Sequence, residues 1–226
     1  MPPRLLVVCL ALLAAPAWAQ RAEPDTLPPQ TEPVDVRAFR AVYDVEAAPF
    51  VGAMRAVNDT AYPVYVGVAP ALGAVALAAD ADLDPALRLA AAEGGAVALT
   101  FAVKNLVRRP RPYRALDGVA ARDRGHTGDD VFDPHSFPSG HSSTAFAIAT
   151  SLSLSYPEWY VAAPALAWAG VMGLARVWHG VHYPSDVLVG AGVGAGSAVL
   201  VHLLLPDVFG DDGGGAVAPF AVVVPL

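Results

Sequence analysis

With 226 residues, 55% hydrophobic and 15% charged, the chain has enough apolar side chain for one sizeable core or a small set of membrane helices, and too little length for a second large domain. A formal charge of −7 excludes a general nucleic-acid surface, which needs an excess of lysine and arginine. The single cysteine, Cys9, excludes an internal disulfide.

The N-terminus carries Arg4, an apolar run from Leu5 to Leu13, and Ala17-Trp18-Ala19 in the small-x-small pattern of a cleavage site. Residues 1–19 therefore resemble a secretory signal peptide, and an exported protein is expected. The alternative, an uncleaved first helix, is disfavoured because the run falls short of the roughly 20 apolar residues a span needs. Residues 20–36 are rich in proline and charge and are expected to form a disordered linker, with the folded domain over 37–205 and a flexible tail over 206–226.

From Val36 to Val57, Phe39, Tyr43, Ala47, Phe50 and Met54 recur at helix-like intervals among arginines and acids. This predicts an amphipathic N-terminal helix, interrupted at Pro49, lying on a core or on a membrane surface. Five apolar stretches follow, near Val64–Ala79, Leu87–Val103, Thr144–Tyr156, Val161–Ala175 and Val187–Leu205. Their lengths suit helices better than strands, so the fold class is all-α: five core helices plus the amphipathic one. Only the last stretch approaches an uninterrupted span, and its Gly190, Gly192, Gly194 and Gly196 permit close helix contact. Either a membrane-embedded bundle or a soluble or peripheral periplasmic one fits this pattern. Five spans after a cleaved signal would put all the polar motifs on the outer face. The inner loops would then be neutral or acidic, against the positive-inside tendency.

Three polar clusters interrupt this background. The first runs from Lys104, the only lysine, through Arg108 and Arg109 to Arg111-Pro112, and seven of the fourteen basic residues fall between Lys104 and Arg124. A phosphoryl group in transfer spreads charge over its oxygens, so cations placed around it are the chief need. Lys104 and Arg111 can supply a point charge and a planar fork to one phosphate, because the two prolines turn the chain out of helical geometry between them. A basic helix end at a membrane interface is the competing reading, and Arg108 and Arg109 fit it well, as groups facing solvent or headgroups.

The second cluster, Pro138-Ser139-Gly140-His141, precedes an apolar helix, where a serine cap and free backbone N–H groups make an anion site. In the third, Arg176 precedes His182 and Asp186, which are four apart near the start of the last helix. A carboxylate on one ring nitrogen fixes the tautomer and leaves the other free to attack. His182 is thus the candidate nucleophile and His141 the candidate proton donor to the leaving oxygen. A simple cap by Asp186 would also explain that pair.

These residues resemble the type 2 phosphatidic acid phosphatase family, whose superfamily includes bacterial acid phosphatases and vanadium haloperoxidases. The family pattern is met by Lys104 with Arg111-Pro112, by Pro138 to His141, and by Arg176 with His182 and Asp186. The resemblance implies that Lys104, Arg111, Ser139, Gly140 and Arg176 bind phosphate, that His182 becomes a phosphohistidine oriented by Asp186, and that His141 is the general acid and then the base. It implies no metal and no cofactor. Asp129, Asp130 and Asp133 are read as solvated loop residues. Ala175 departs from the serine often found before the arginine. The loop 113–137 is expected to shape substrate access. The expected partners are a phosphorylated lipid or small phosphoester and a membrane, with the site facing the periplasm. A vanadium-dependent haloperoxidase and a non-catalytic lipid-binding membrane protein are the alternatives.

Overall fold

The computed structural model describes residues 32–122 and 134–205. The expected signal peptide, most of the linker, Asp129, Asp130, Asp133 and the tail lie outside the described residues. Among the described residues there are eight helices and no strand: α1 (Val34–Tyr43), α2 (Ala48–Asp59), α3 (Ala61–Ala79), α4 (Asp84–Val107), the single turn α5 (Pro112–Ala115), α6 (Gly140–Ser155), α7 (Trp159–Trp178) and α8 (Pro184–Leu204).

The all-α class and the five core helices are as expected, but the helices reach further than their apolar runs. α4 begins at Asp84 and ends beyond Lys104, and α7 continues through Arg176 to Trp178. Charged residues there are compatible with helix because they stand in the first or last turn, where an acid meets the positive end and a base the negative end. Four helices, α3, α4, α7 and α8, are consequently long and apolar enough to cross a bilayer. α6, at 16 residues, is the shortest of the five core helices and about 24 Å long. It is the interior post of the bundle.

Its composition explains that position. Ser142, Ser143, Ala145, Ala147, Ala149 and Ser151 are fully buried, and they let neighbours approach on every side. Ala147 packs with Ala92 and Ala96 of α4 and Ala198 of α8, while Ala145 and Ala149 pack with Ala61 of α3 and Met172 of α7. Against α8 the approach is closest: a Cβ added at Gly194 would collide with the Ser143 carbonyl, whereas one at Gly192 or Gly196 would meet nothing within 4 Å. Of the four glycines in the stripe, Gly190 and Gly194 make the helix contact.

The amphipathic N-terminal segment is two helices, not one interrupted at Pro49. The break comes earlier, at residues 44–47, and Pro49 stands in the first turn of α2, where its missing N–H costs nothing. α1 also begins at Val34, inside the segment 20–36 expected to be linker. Phe39 and Tyr43 dock α1 on Val177 and Tyr183, and Met54 docks α2 on Ala175 and Trp178. Both helices therefore lie over the end of the bundle where α4 and α7 finish and α6 and α8 begin.

Candidate active site

That end of the bundle gathers the three clusters. α4 terminates at Arg108 in a left-handed conformation (φ 51°), and the chain turns through Pro110 to Arg111. An isolated bridge pairs Pro110 with His135, and the Lys104 ammonium donates to the His135 carbonyl at 2.8 Å. The loop from Tyr113 is held by Tyr113 and Arg122 N–H groups donating to the Gly180 and His179 carbonyls, at 3.2 and 3.0 Å. Gly180 itself has φ 79°, a left-handed turn that reverses the chain between α7 and His182.

Ser139 caps α6: its hydroxyl accepts from the Ser142 N–H at 3.4 Å, and its own N–H donates to the Asp186 carbonyl at 2.9 Å. The second and third clusters are thereby joined through the backbone. The N–H groups of Gly140 and His141, in the first turn, have no acceptor within the helix, which is the usual basis of an anion site.

His182 is at the centre and is buried. Its Nδ1 is 3.6 Å from Asp186 Oδ2, and its Nε2 is 3.3 Å from an Arg111 guanidinium nitrogen. Asp186 Oδ2 also accepts the Tyr183 N–H at 2.8 Å, so the carboxylate both caps α8 and faces the imidazole. The cap is formed, while His182 Nδ1 faces the carboxylate at 3.6 Å without a hydrogen bond. Burial, and then the charges of Arg111, Lys104, Arg176 and His141, hold the His182 pKa well below its ordinary value of 6.5. The ring is neutral at physiological pH.

Lys104, Arg111 and Arg176 are themselves buried, Arg111 and Arg176 completely. Arg111 donates to the Val181 carbonyl at 3.3 Å, and Arg176 to Asn58 Oδ1 at 2.6 Å. All three cations act on His182, whose pKa they lower, so they stand close enough together to offer positive charge to one anion. His141 is half-buried and close enough to His182 to lower its pKa. The rings of Tyr62 and Tyr65 meet it edge-on at 5.9 and 5.7 Å, and the Tyr65 hydroxyl donates to its carbonyl at 2.9 Å.

Every residue singled out from the sequence, Lys104, Arg111, Ser139, Gly140, His141, Arg176, His182 and Asp186, is at this end of the bundle. Several residues not singled out are there too. Arg109, expected to face solvent or headgroups, instead donates to Asp186 Oδ1 and to Asp35 Oδ2, both at 2.7 Å, and lies 3.8 Å over the Tyr183 ring. Burial opposes its charge, but the Asp186 and Asp35 carboxylates outweigh that and raise its pKa. Asp35 of α1, the partner of Ser185, and the buried acceptor Asn58 of α2 are far away in sequence from the groups they hold. No local spacing could have announced them. Arg108 remains exposed, as expected, with its Nε on the Asn105 carbonyl.

The bundle is all-helical and sets an imidazole that faces a carboxylate among buried cations. The PAP2 superfamily profile matches residues 85–209, and the chain belongs to that superfamily. It is 36% identical over 103 residues to a Lipid A 1-phosphatase of Rhizobium johnstonii, covering 45% of this chain and 40% of that one. It is 38% identical over 117 residues to a decaprenylphosphoryl-5-phosphoribose phosphatase of Mycobacterium tuberculosis, covering 50% and 58%. The matches thus span about half the length of these relatives. Among solved structures, LpxE of Aquifex aeolicus superposes with a TM-score of 0.58 at 24% identity, over 78% of this chain and 99% of that one. The first transmembrane PAP2-type phosphatidylglycerolphosphate phosphatase of Bacillus subtilis gives 0.60 at 23%, over 88% and 91%. These likenesses show the fold, four of whose helices are long and apolar enough to cross a membrane.

Proposed function

We propose that the chain is a metal-independent phosphatase that hydrolyses a phosphate monoester or diphosphate on a lipid through a phosphohistidine at His182. The observation that carries this is the position of His182 Nε2, turned to Arg111, while Nδ1 faces Asp186. Nε2 attacks phosphorus and the bond to the leaving oxygen breaks. His141 gives that oxygen a proton. Water then attacks phosphorus, His141 takes its proton, and the phosphorus–nitrogen bond breaks to return a neutral His182 and inorganic phosphate. Lys104, Arg111 and Arg176, with the first N–H groups of α6, balance the charge on the equatorial oxygens throughout.

A lipid substrate is supported by the site's place at one end of apolar helices, where an acyl or isoprenoid tail can lie beside exposed apolar side chains while its phosphate enters the cationic floor. The names of both curated relatives also specify lipid-linked phosphates. We place the site on the outer, periplasmic face, following the N-terminal signal-like segment.

The test is release of inorganic phosphate from a panel of phosphatidic acid, undecaprenyl diphosphate and a soluble aryl phosphate, with and without orthovanadate. Hydrolysis of a lipid member, inhibited by vanadate and abolished by His182→Ala, is expected. Normal turnover by His182→Ala would remove the assigned nucleophile.

A further inference from the structure

α1 lies outside residues 85–209, which the superfamily profile matches, yet its Asp35 bonds Arg109, which in turn bonds Asp186. Asp35, in its first turn, accepts from Arg109 Nη2 through Oδ2 at 2.7 Å, while the other terminal nitrogen, Nη1, goes to Asp186 Oδ1 at 2.7 Å. The Ser185 hydroxyl lies between, 2.7 Å from Arg109 Nη1 and donating to Asp35 Oδ2 at 2.5 Å. Asp35 Oδ1 accepts the Ser185 N–H at 3.0 Å, so a residue 150 positions away caps the first turn of α8. Asp35 and Arg109 are both mostly buried, with side chains 16% and 20% exposed, so the pair is screened less than a surface ion pair.

An arginine that meets a lone carboxylate tends to take both of its oxygens with two parallel N–H donors. Here that geometry would draw Asp186 Oδ2 off His182 Nδ1. Asp35 prevents it by occupying the second guanidinium nitrogen. We propose that Asp35 is a positioning residue of the active site: by dividing Arg109 between two carboxylates and capping Ser185, it leaves Asp186 Oδ2, which accepts the Tyr183 N–H, facing His182 Nδ1 at 3.6 Å. This rests on the assignment of His182 as nucleophile. α1 has other anchors, since the Phe39 ring meets Tyr183, and the Tyr43 hydroxyl bonds both to the carbonyl and to the N–H of Ala120. Loss of the Asp35 carboxylate should therefore leave the helix in place.

The experiment measures kcat and KM of Asp35→Ala, Arg109→Ala and the double variant on the most rapidly hydrolysed member of the panel above, with detergent-solubilised full chain and with melting temperature recorded for each. Asp35→Ala is expected to lose on the order of tenfold in kcat, the scale of one charged hydrogen bond, with KM within about twofold. The double variant is expected to be no slower than the slower single, because without Arg109 nothing competes for Asp186. Asp35→Asn, of equal size, keeps the Ser185 cap and guards against a folding failure; it should show the same kcat loss. An unchanged kcat in a folded Asp35 variant, a change confined to KM, or losses that multiply in the double variant would each overturn the proposal. His182→Ala run in parallel separates the two assignments: if it is inactive while the Asp35 variants are normal, only the role of Asp35 fails, and if it is active the nucleophile itself is wrong.

Discussion

At the scale of single residues, the site divides proton work between two imidazoles in different surroundings. His182 is buried among cations that disfavour its protonation, and His141 sits at the half-buried edge among tyrosine rings. If His141 protonates the departing oxygen, its removal matters most when that oxygen is a poor leaving group. His141→Ala should slow alkyl phosphate hydrolysis on the order of a hundredfold or more and aryl phosphate hydrolysis much less, in steady-state assays of both esters. Equal slowing of both would remove that role. The depressed His182 pKa also has a consequence for stability. Below its ordinary value of 6.5 the unfolded chain binds a proton that the native ring refuses, so stability falls as pH drops through that value toward the native pKa, and is fully present above it. In detergent, wild type should lose melting temperature relative to His182→Asn as pH is lowered below 6.5; parallel curves would contradict this.

At the scale of elements, what could be read from the sequence was whatever the chain writes locally. Lys104 and Arg111 sit on either side of a helix end, Ser139 precedes an apolar run as a cap, and His182 and Asp186 are one turn apart; each spacing is short, and the structure keeps each. The helix ends were less legible, because charge at Asp84, Lys104 and Arg176 reads as a boundary although it lies within terminal turns. Asp35 and Asn58 left no trace at all. Their partners, Ser185 and Arg176, are 150 and 118 residues away, and only packing of α1 and α2 across the bundle end creates the contacts. The glycine stripe of α8 was legible as a stripe but not as a face. Its two contact positions give a direct comparison: Gly194→Ala should destabilise by about 1–3 kcal/mol through collision with α6, whereas Gly192→Ala, in open space, should be neutral or slightly stabilising. Thermal unfolding of the two variants in detergent checks this, and equal effects would mean that α6 and α8 are not so closely packed.

At the scale of the whole molecule, one end of the bundle carries the cations, the imidazoles and the two docked helices, and the other carries Asp80, Asp82 and Glu158 in its turns, with Trp159 and Tyr160 exposed beside them. Aromatic residues of this kind favour the membrane–water boundary. With the site outward, a cysteine introduced by Asp117→Cys in a Cys9→Ser background should react with a membrane-impermeant maleimide in intact cells, and one introduced by Asp82→Cys should not. The reverse pattern would place the site inside. The chemistry itself is tested most directly by trapping. Full-chain protein mixed with a hydrolysed lipid carrying radiolabelled phosphate, then quenched in alkali, should retain label on His182, and His182→Ala should retain none. Label mapped to another residue, or equal labelling of the variant, would contradict attack by the His182 imidazole on phosphorus.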